Sequence, residues 1–426
     1  MKVIIVGGGI VGLATYLHLR KHLPNPSSNT ITIFESHKPS SSSPPYNGNL
    51  DTLSASPPLI GAGLGISPNG MRVLRDLNPD LYASVVAQGF RAERFVFKGA
   101  NGWTLSVQST SDKAVRGDGE SEEVCVASSR HGLRETIMRY VDEGAVDYRQ
   151  VVGVERLKGG KVGVMFEDGE VEEADLVIGA DGVRSVVREA LFGGDERYKP
   201  VYTGQSGVGG FLNAPIPHYI TDNKAMVFCF GGNGFFGYSS GGPPAVQQLM
   251  WWSTFEMTSL SDTKAIDPGT IKVALVERHK HWKDSVVKEI IQKAEVQSIY
   301  PTWALPELPH WGERGIVLVG DAAHAMDPTT GQGASQAIED AQTFAILLGK
   351  LLEDEPHNDN DADVINTAIK LFYKIRAPRV HAINERGKKL AGNKTNLGLF
   401  SEYSMYCLLW LIDKLPFIGE FPQIVD

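Results

Sequence analysis

The stretch "MKVIIVGGGIVGLA", residues 1–14, sets the β-branched run Val3-Ile4-Ile5-Val6 directly before three glycines; Leu13, Tyr16 and Leu17 then follow at helical spacing. A short apolar run bounded by glycine reads as a buried strand, and the three-and-four spacing after it as an amphipathic helix. Gly7, Gly9 and Gly12 form the pattern G-x-G-x-x-G between the two. Alone the pattern is weak, but between a strand and a helix it is the turn that cradles a dinucleotide pyrophosphate. Gly7 is expected to allow the tight turn, Gly9 the close approach of phosphate to backbone, and Gly12 the packing of helix on strand. The phosphates would sit at the helix N-terminus, where unpaired N–H groups and the helix dipole favour negative charge. Glu35 ends the next strand-like run, "TITIFE" (30–35). A carboxylate there can accept from both ribose hydroxyls, which favours FAD or NAD over a 2′-phosphorylated cofactor.

Outward from this turn, "ADLVIGAD" (174–181) and "GIVLVGD" (315–321) are also strand-like, while 12–23, 67–77, 130–142 and 333–352 have helical spacing. The alternation implies an α/β class with a largely parallel sheet. Its elements lie at both ends of the chain, so this Rossmann-like domain is discontinuous. Residues 200–305, with "AMVFCFGGNGFFGYSSG" and "VQQLMWWSTFEM", are β-rich and aromatic, the texture of an inserted sheet that covers something. The expected organisation is a first part of the nucleotide-binding domain over 1–199, with polar insertions at 36–58 and 109–123. A β-rich substrate-covering domain follows over 200–305, then the second part over 306–390 and a C-terminal helical segment over 391–426.

The 426 residues allow two or three domains, and a net charge of −9 offers no electrostatic footprint for nucleic acid. Cys125, Cys229 and Cys407 are far apart and suggest neither a disulfide framework nor a zinc cluster, so a reducing, cytoplasmic setting is expected. The apolar stretch "MYCLLWLIDKLPFIGEF" (405–421) is broken by Asp413, Lys414 and Pro416. It reads as a docked helix, with weak contact to a membrane surface as the second reading. His18 and His22 have the spacing of two metal ligands but no third, and read as a solvent-facing pair; His279 and His281 also lack ligand partners, and no metal site is expected. His324 reads as a packed or hydrogen-bonded structural residue.

In "GIVLVGDAAHAMDPTTGQGASQAIEDA" (315–341) a carboxylate ends a buried strand, and a turn marked by Pro328, Gly331 and Gly333 runs into a small-residue helix. A nicotinamide dinucleotide needs only the first turn, whereas FAD is longer and needs contacts from elsewhere in the chain. Asp321 could bind ribityl hydroxyls, and the 328–333 turn could bring N–H groups against the flavin pyrimidine edge. The helix beginning near Gly333 would then stabilise the anionic reduced flavin.

"GxGxxG" at 7–12, "ADLVIGADGVRSVVR" at 174–188 and "GDAAHAMDPTTGQGA" at 320–334 together resemble the three flavin motifs of the group A flavoprotein monooxygenases, which share the para-hydroxybenzoate hydroxylase fold. "GAGLGISPNGMRVLRDL" (61–77), "SSRHGLRETI" (128–137) and "YTGQSGVGGF" (202–211) are similar to its salicylate hydroxylase-like and fungal secondary-metabolite branch. The resemblance implies FAD contacts from Glu35, Ala62, Gly63, Arg130, Asp321 and Ala334, and a role for Asp181 and Arg184 between flavin and nicotinamide. Asp181 can equally cap the helix that follows it. Arg130 also suits phosphate or ribityl oxygens on charge alone.

The implied reaction uses NADPH or NADH as a transient reductant of FAD. Oxygen then forms a flavin C4a-hydroperoxide that hydroxylates or epoxidises an aromatic or unsaturated small molecule. The cofactor carries the chemistry, so no catalytic acid or base is assigned. Relatives commonly carry Arg-Gly where this chain has Gly209-Gly210, so no catalytic arginine is expected there. Tyr202, Phe228, Phe230, Phe236, Tyr238 and Trp252 are candidates for an apolar pocket wall, although aromatics on a sheet are more often plain core. Within the same fold a reductase or a halogenase is the alternative; "WWSTF" (251–255) lacks the halogenase Trp-x-Trp-x-Ile pattern. A non-catalytic flavin or dinucleotide sensor is the alternative of another class. Monomer and homodimer both fit.

Overall fold

Four apolar residues in a row make Lys2–Val6 the middle of a sheet rather than its edge. In the computed structural model, which describes residues 1–38, 63–111, 123–257, 267–296, 299–354, 361–391 and 397–414, Val3, Ile4 and Ile5 are fully buried. Strand Leu176–Gly179 pairs with it on one side and Thr30–Phe34 on the other, both parallel, so that Ile5 stands between Ile178 and Ile33. Ile316–Leu318 extends the parallel sheet beyond Leu176–Gly179, and Val146–Asp147 extends it beyond Thr30–Phe34. An antiparallel strand, Gly312–Glu313, closes one edge. Strands buried on both faces must be apolar throughout, which is why "KVIIV" and "IVL" show no alternation.

The helix Ile10–His22 follows the first strand, and the helix Gly333–Asp354 lies along it. Ile338, Ala341, Phe344, Ala345 and Leu348 give the longer helix a buried stripe at three-and-four spacing. Each large side chain there contributes roughly 1.5–3 kcal/mol. The helices meet so closely at their far end that a Cβ on Gly349 would lie 2.2 Å from the His22 carbonyl oxygen. The helix Asp361–Ala391 packs on the outside of Gly333–Asp354.

A second sheet of seven strands covers the carboxyl edge of the first through a small three-stranded link, Gly63–Ile66, Cys125–Ser129 and Phe90–Ala92. Five of the seven strands fall in 201–304, but Arg94–Gly99 and Thr104–Ser109 complete it. The apolar run Phe95-Val96-Phe97 in "RFVFKG" suits a strand, yet nothing local shows that it joins this sheet rather than the first. The covering sheet therefore extends beyond the 200–305 segment expected from texture, and it also carries the helices Pro268–His279 and Ser285–Lys293 on one face. The C-terminal helix Leu399–Lys414 packs on Thr104–Ser109. The 36–58 and 109–123 insertions lie largely outside the described residues. Among the described residues no helix is long and apolar enough to cross a membrane.

Gly349→Ala is expected to lower stability by about 1–3 kcal/mol despite the better helix propensity of alanine, because the added methyl meets backbone that cannot rotate away. Urea denaturation of the two proteins checks this.

Candidate functional site

Four neighbouring parallel strands end on one edge of the first sheet, and each hands the chain to a turn bearing a candidate residue. After Lys2–Val6, Gly7 takes φ +106°, and a Cβ on it would lie 2.5 Å from the Ala180 carbonyl oxygen and 3.0 Å from the Asp181 Cα. Gly7 thus presses the first turn against the third strand's end. A Cβ on Gly12 would lie 1.9 Å from the Gly7 oxygen, which is close helix-on-strand packing. Gly9 differs: it precedes the helix Ile10–His22 in an extended conformation, and a Cβ there would meet nothing within 4 Å. No side chain caps that helix, and its first turn holds no acid. Open space beside uncapped N–H groups suits a phosphate.

Glu35 does two things. Its Oε2 accepts from the Gly8 N–H at 2.8 Å and its Oε1 from the His37 N–H at 2.9 Å, which stiffens the first turn. Arg134, which the sequence did not single out, donates from Nε to the Gly8 carbonyl at 2.9 Å. Arg134 lies one helical turn beyond Arg130, and that spacing was the available signal. Arg130 begins the helix Arg130–Met138, exposed and with no ion pair among the described residues. Arg184 is likewise exposed and unpaired.

Asp181 caps the helix Val186–Leu191 as its position suggested, with Oδ2 accepting from the Val186 and Val187 N–H groups at 2.8 and 3.2 Å. Its Oδ1 is buried without a partner, and burial pushes its pKa up. A buried acceptor with no donor fits a site completed by a bound polar group.

At the last strand end Gly320 takes φ +58°, and a Cβ on it would lie 3.0 Å from the Ala337 Cβ and 3.3 Å from the Val11 Cγ1. This position ties the strand to the first turns of both long helices. Asp321 follows with no hydrogen bond among the described residues. Beneath it, Asp340 accepts from the Gly320 N–H at 2.9 Å, His324 Nε2 at 2.5 Å and Arg376 Nε at 2.8 Å. Burial alone would raise the Asp340 pKa, but the charges of His324 and Arg376 hold it below the usual carboxylate range.

The Pro328–Thr330 turn leads to Gly331, at φ +61°, and Gly333, both with open space where a Cβ would be. Between them Gln332 donates to Ser67 Oγ at 3.0 Å and accepts from Asn69 at 3.2 Å, mooring the turn to the segment after Gly63–Ile66. Ala334 lies in the first turn of the helix that follows. Ala62 lies outside the described residues. Gly63 marks a close approach of the three-stranded link to the covering sheet, since a Cβ there would overlap the Met250 sulfur.

Register sorts the aromatic candidates. Phe97, Phe228, Gly237, Trp252 and Gly209 stand in one row across five strands and so share a face. Phe95, Phe230 and Phe235 share it too, with ring centroids 5.3 Å from Phe95 to Phe228 and 5.2 Å from Phe230 to Phe235. Met250, against Gly63, places this face toward the three-stranded link. Phe236 and Tyr238 are corrected: they point the other way and are fully buried under the helices. Phe236 stacks on Trp251 at 5.7 Å, and Tyr238 donates to Asp284 at 3.1 Å. Tyr202 stands apart near Trp303, its hydroxyl on the Met257 carbonyl at 2.8 Å. The Trp252 indole lies across Gly237, and a Cβ on Gly209 would lie 2.7 Å from the Trp251 oxygen, so an arginine at Gly209 would not fit this strand.

One histidine expectation also changes. His18 is buried, not solvent-facing, stacked on His22 at 5.9 Å, and burial pushes its pKa down to about 3. His279 is buried with Nδ1 2.8 Å from the Leu275 carbonyl, and burial lowers its pKa to about 4.

A parallel sheet with glycine turns and carboxylates at its strand ends, covered by a second sheet with an aromatic inner face, defines a flavin-binding class of fold. The chain belongs to the FAD binding domain family, whose description matches residues 148–360, half of its length. It is 27% identical over 393 residues to a zeaxanthin epoxidase, chloroplastic, of Oryza sativa subsp. japonica, covering 90% of this chain and 54% of that one. The chain spans about half the length of the zeaxanthin epoxidases it matches. It is 28% identical over 340 residues to 3-amino-4-hydroxybenzoate 2-monooxygenase of Streptomyces cremeus, covering 78% of this chain and 77% of that one. Among solved structures, Klebsiella pneumoniae HpxO complexed with FAD and uric acid superposes with a TM-score of 0.76 at 19% identity, over 100% of this chain and 96% of that one. A salicylate hydroxylase substrate complex superposes with a TM-score of 0.69 at 18% identity, over 100% and 98%. These likenesses establish the fold.

Asp321→Ala and Arg130→Ala are expected to change stability by less than about 0.5 kcal/mol, since neither side chain has a partner among the described residues to lose. Each should weaken FAD binding about tenfold or more, read by flavin fluorescence on titrating apoprotein. Asp340→Asn is expected to lose about 1–3 kcal/mol, because the buried Arg376 keeps only Glu339 as a counter-charge and His324 loses its carboxylate. The native pKa of Asp340 lies below the unfolded value, so its contribution is fully present above about pH 4 and is lost as pH falls through the native value. The rise of unfolding free energy over that acid range should therefore be shallower in Asp340→Asn, measured by urea denaturation at a series of pH values.

Proposed function

We propose that the protein is an NAD(P)H-dependent flavoprotein monooxygenase that hydroxylates or epoxidises an aromatic or unsaturated small molecule with O2. The observation that carries this reading is the convergence on one edge of an open phosphate-sized turn at Gly9, an unpartnered Asp321 and the open turn Gly331–Gly333, facing an aromatic wall. FAD, when bound, would supply the redox chemistry, accepting hydride from the nicotinamide and activating oxygen.

The chain's own residues bind, orient and exclude water. Gly9 and the helix N-terminus behind it would take the pyrophosphate, Glu35 the adenosine ribose, Arg130 and Asp321 the polar chain between the ends of the cofactor. The turn at 331–334 would carry the flavin edge, with the N-terminus of Gly333–Asp354 favouring negative charge beside it. Asp181 and Arg184 would serve the nicotinamide side. Phe95, Phe97, Phe228, Phe230, Phe235 and Trp252 bear no titrating group, so this wall supports an apolar substrate held by shape and ring contacts. With Gly209 where relatives carry arginine, no cation polarises the substrate from that strand. Cys125, Cys229 and Cys407 are all free thiols, which supports a reducing, cytoplasmic setting.

The purified protein with FAD should be yellow and should bleach on anaerobic addition of NADPH or NADH. A panel of phenols, indoles and unsaturated lipophiles should include members that speed the bleaching and acquire label from 18O2. Bleaching and reoxidation with no label in any product would identify a reductase or oxidase, and absence of bound flavin would overturn the cofactor assignment.

A further inference from the structure

The outer end of the aromatic face is closed by the helix Leu399–Lys414, which is held by one side only. Met405 and Tyr406 are buried against Leu105, and a Cβ on Gly99 would touch the Tyr406 ring at 2.9 Å. The Tyr406 hydroxyl donates to the Phe230 carbonyl at 2.7 Å. Two acids of this helix also turn inward, Glu402 onto the Tyr406 hydroxyl and Asp413 onto Ser106 Oγ at 2.9 Å.

What faces outward is apolar: Phe400 is 87% exposed, Leu408 56%, Trp410 49% and Leu411 45%. Trp103, 61% exposed at the turn between Arg94–Gly99 and Thr104–Ser109, meets Tyr403 edge-on at 6.2 Å and widens the patch. Such a surface exceeds the scattered exposed apolar residues that need no explanation. Lys283 stands at the base of the same turn, its N–H on the Ala100 carbonyl at 2.7 Å, and Lys280 and His281 are exposed beside it in sequence. Lys280 pairs with Glu277, whereas Lys283 has no acid partner among the described residues. Lys283 is thus an unpaired cation beside the patch on a chain of net charge −9.

We propose that this patch is an interfacial contact with an anionic lipid bilayer. The helix would lie in the plane of the headgroups with Trp103 beside it, as an amphipathic helix with aromatic anchors does. Lys283 favours an anionic bilayer over a second copy of this chain, whose patch would present the same lysine. Resting on the function proposed above, the contact has a use. Rings at 5.9 Å from Trp252 to Phe228, 6.0 Å from Phe228 to Phe235 and 5.2 Å from Phe235 to Phe230 run from the inner wall to the helix, an apolar route for a substrate that partitions into lipid.

The test is sedimentation of the full chain, with FAD added, with vesicles of phosphatidylcholine alone and with about one-quarter phosphatidylglycerol. Binding is expected on the anionic vesicles, falling about tenfold in the triple variant Phe400→Ser, Trp410→Ser, Leu411→Ser and several-fold in Lys283→Glu or at high salt. Circular dichroism and the flavin spectrum should not change, since none of these side chains touches the cofactor cleft. No sedimentation with either vesicle, or undiminished sedimentation of the triple variant, overturns the contact. So does a patch-dependent dimer, broken by the triple variant, that ignores vesicles. Sedimentation needs no turnover, so a protein that sediments as expected but binds no FAD keeps the contact and overturns only the proposed function.

Discussion

One buried carboxylate holds the cofactor edge together. Removing Asp340 from water costs several kcal/mol, and only charge-assisted bonds in good geometry offset that. Arg376, His324 and the Gly320 N–H supply them, each from a different element. Glu339, beside it on the helix, takes Arg376 and Arg379 and accepts from Asn69 at 2.5 Å. Two consecutive acids thus fix the third flavin motif, the helix Asp361–Ala391 and the segment after Gly63–Ile66 relative to one another. The position of Asp321 and the open turn at Gly331–Gly333 depend on that arrangement.

The parts of this design that are local were legible in the sequence. Strand, glycine turn and helix are adjacent in the chain, so Gly7, Gly9 and Gly12 could be given separate roles; a Cβ would be blocked at Gly7 and Gly12 and free at Gly9. Features that depend on register or long-range pairing were not. Phe228 and Phe236 look alike in "FCFGGNGFF", yet a hairpin offset decides that one faces the cleft and the other the helices. Arg134 reads as a helix-surface charge until Gly8 is brought beside it. Phe95 and Phe97 belong to the covering sheet only because their strand pairs with Ala225–Gly231 across more than a hundred residues.

The covering sheet divides its work by face. The inner face keeps rings and glycines and no ionisable group in the row from Phe97 to Gly209, which suits a cleft where the cofactor performs the chemistry and the protein excludes water. The outer face carries the polar anchoring: Lys98 on Asp284 at 2.8 Å, with the Tyr238 hydroxyl on the same carboxylate, stiffens the sheet from behind. Trp252 occupies room that Gly237 provides, so an aromatic ring lies directly over that strand.

The contact between Gln332 and Asn69 spans 263 residues, and that between Ser67 and Ser335 spans 268. A site made of pairings this distant has a high contact order, and loop closure delays its assembly until nearly the whole chain is available. Before Ile316–Leu318 emerges from the ribosome, Leu176–Gly179 is an exposed sheet edge of four apolar residues, the kind of surface that recruits another chain. The nucleotide turn at the start of the sequence is made early, but the protein becomes safe from aggregation only when the last strand of that sheet arrives to cover the edge.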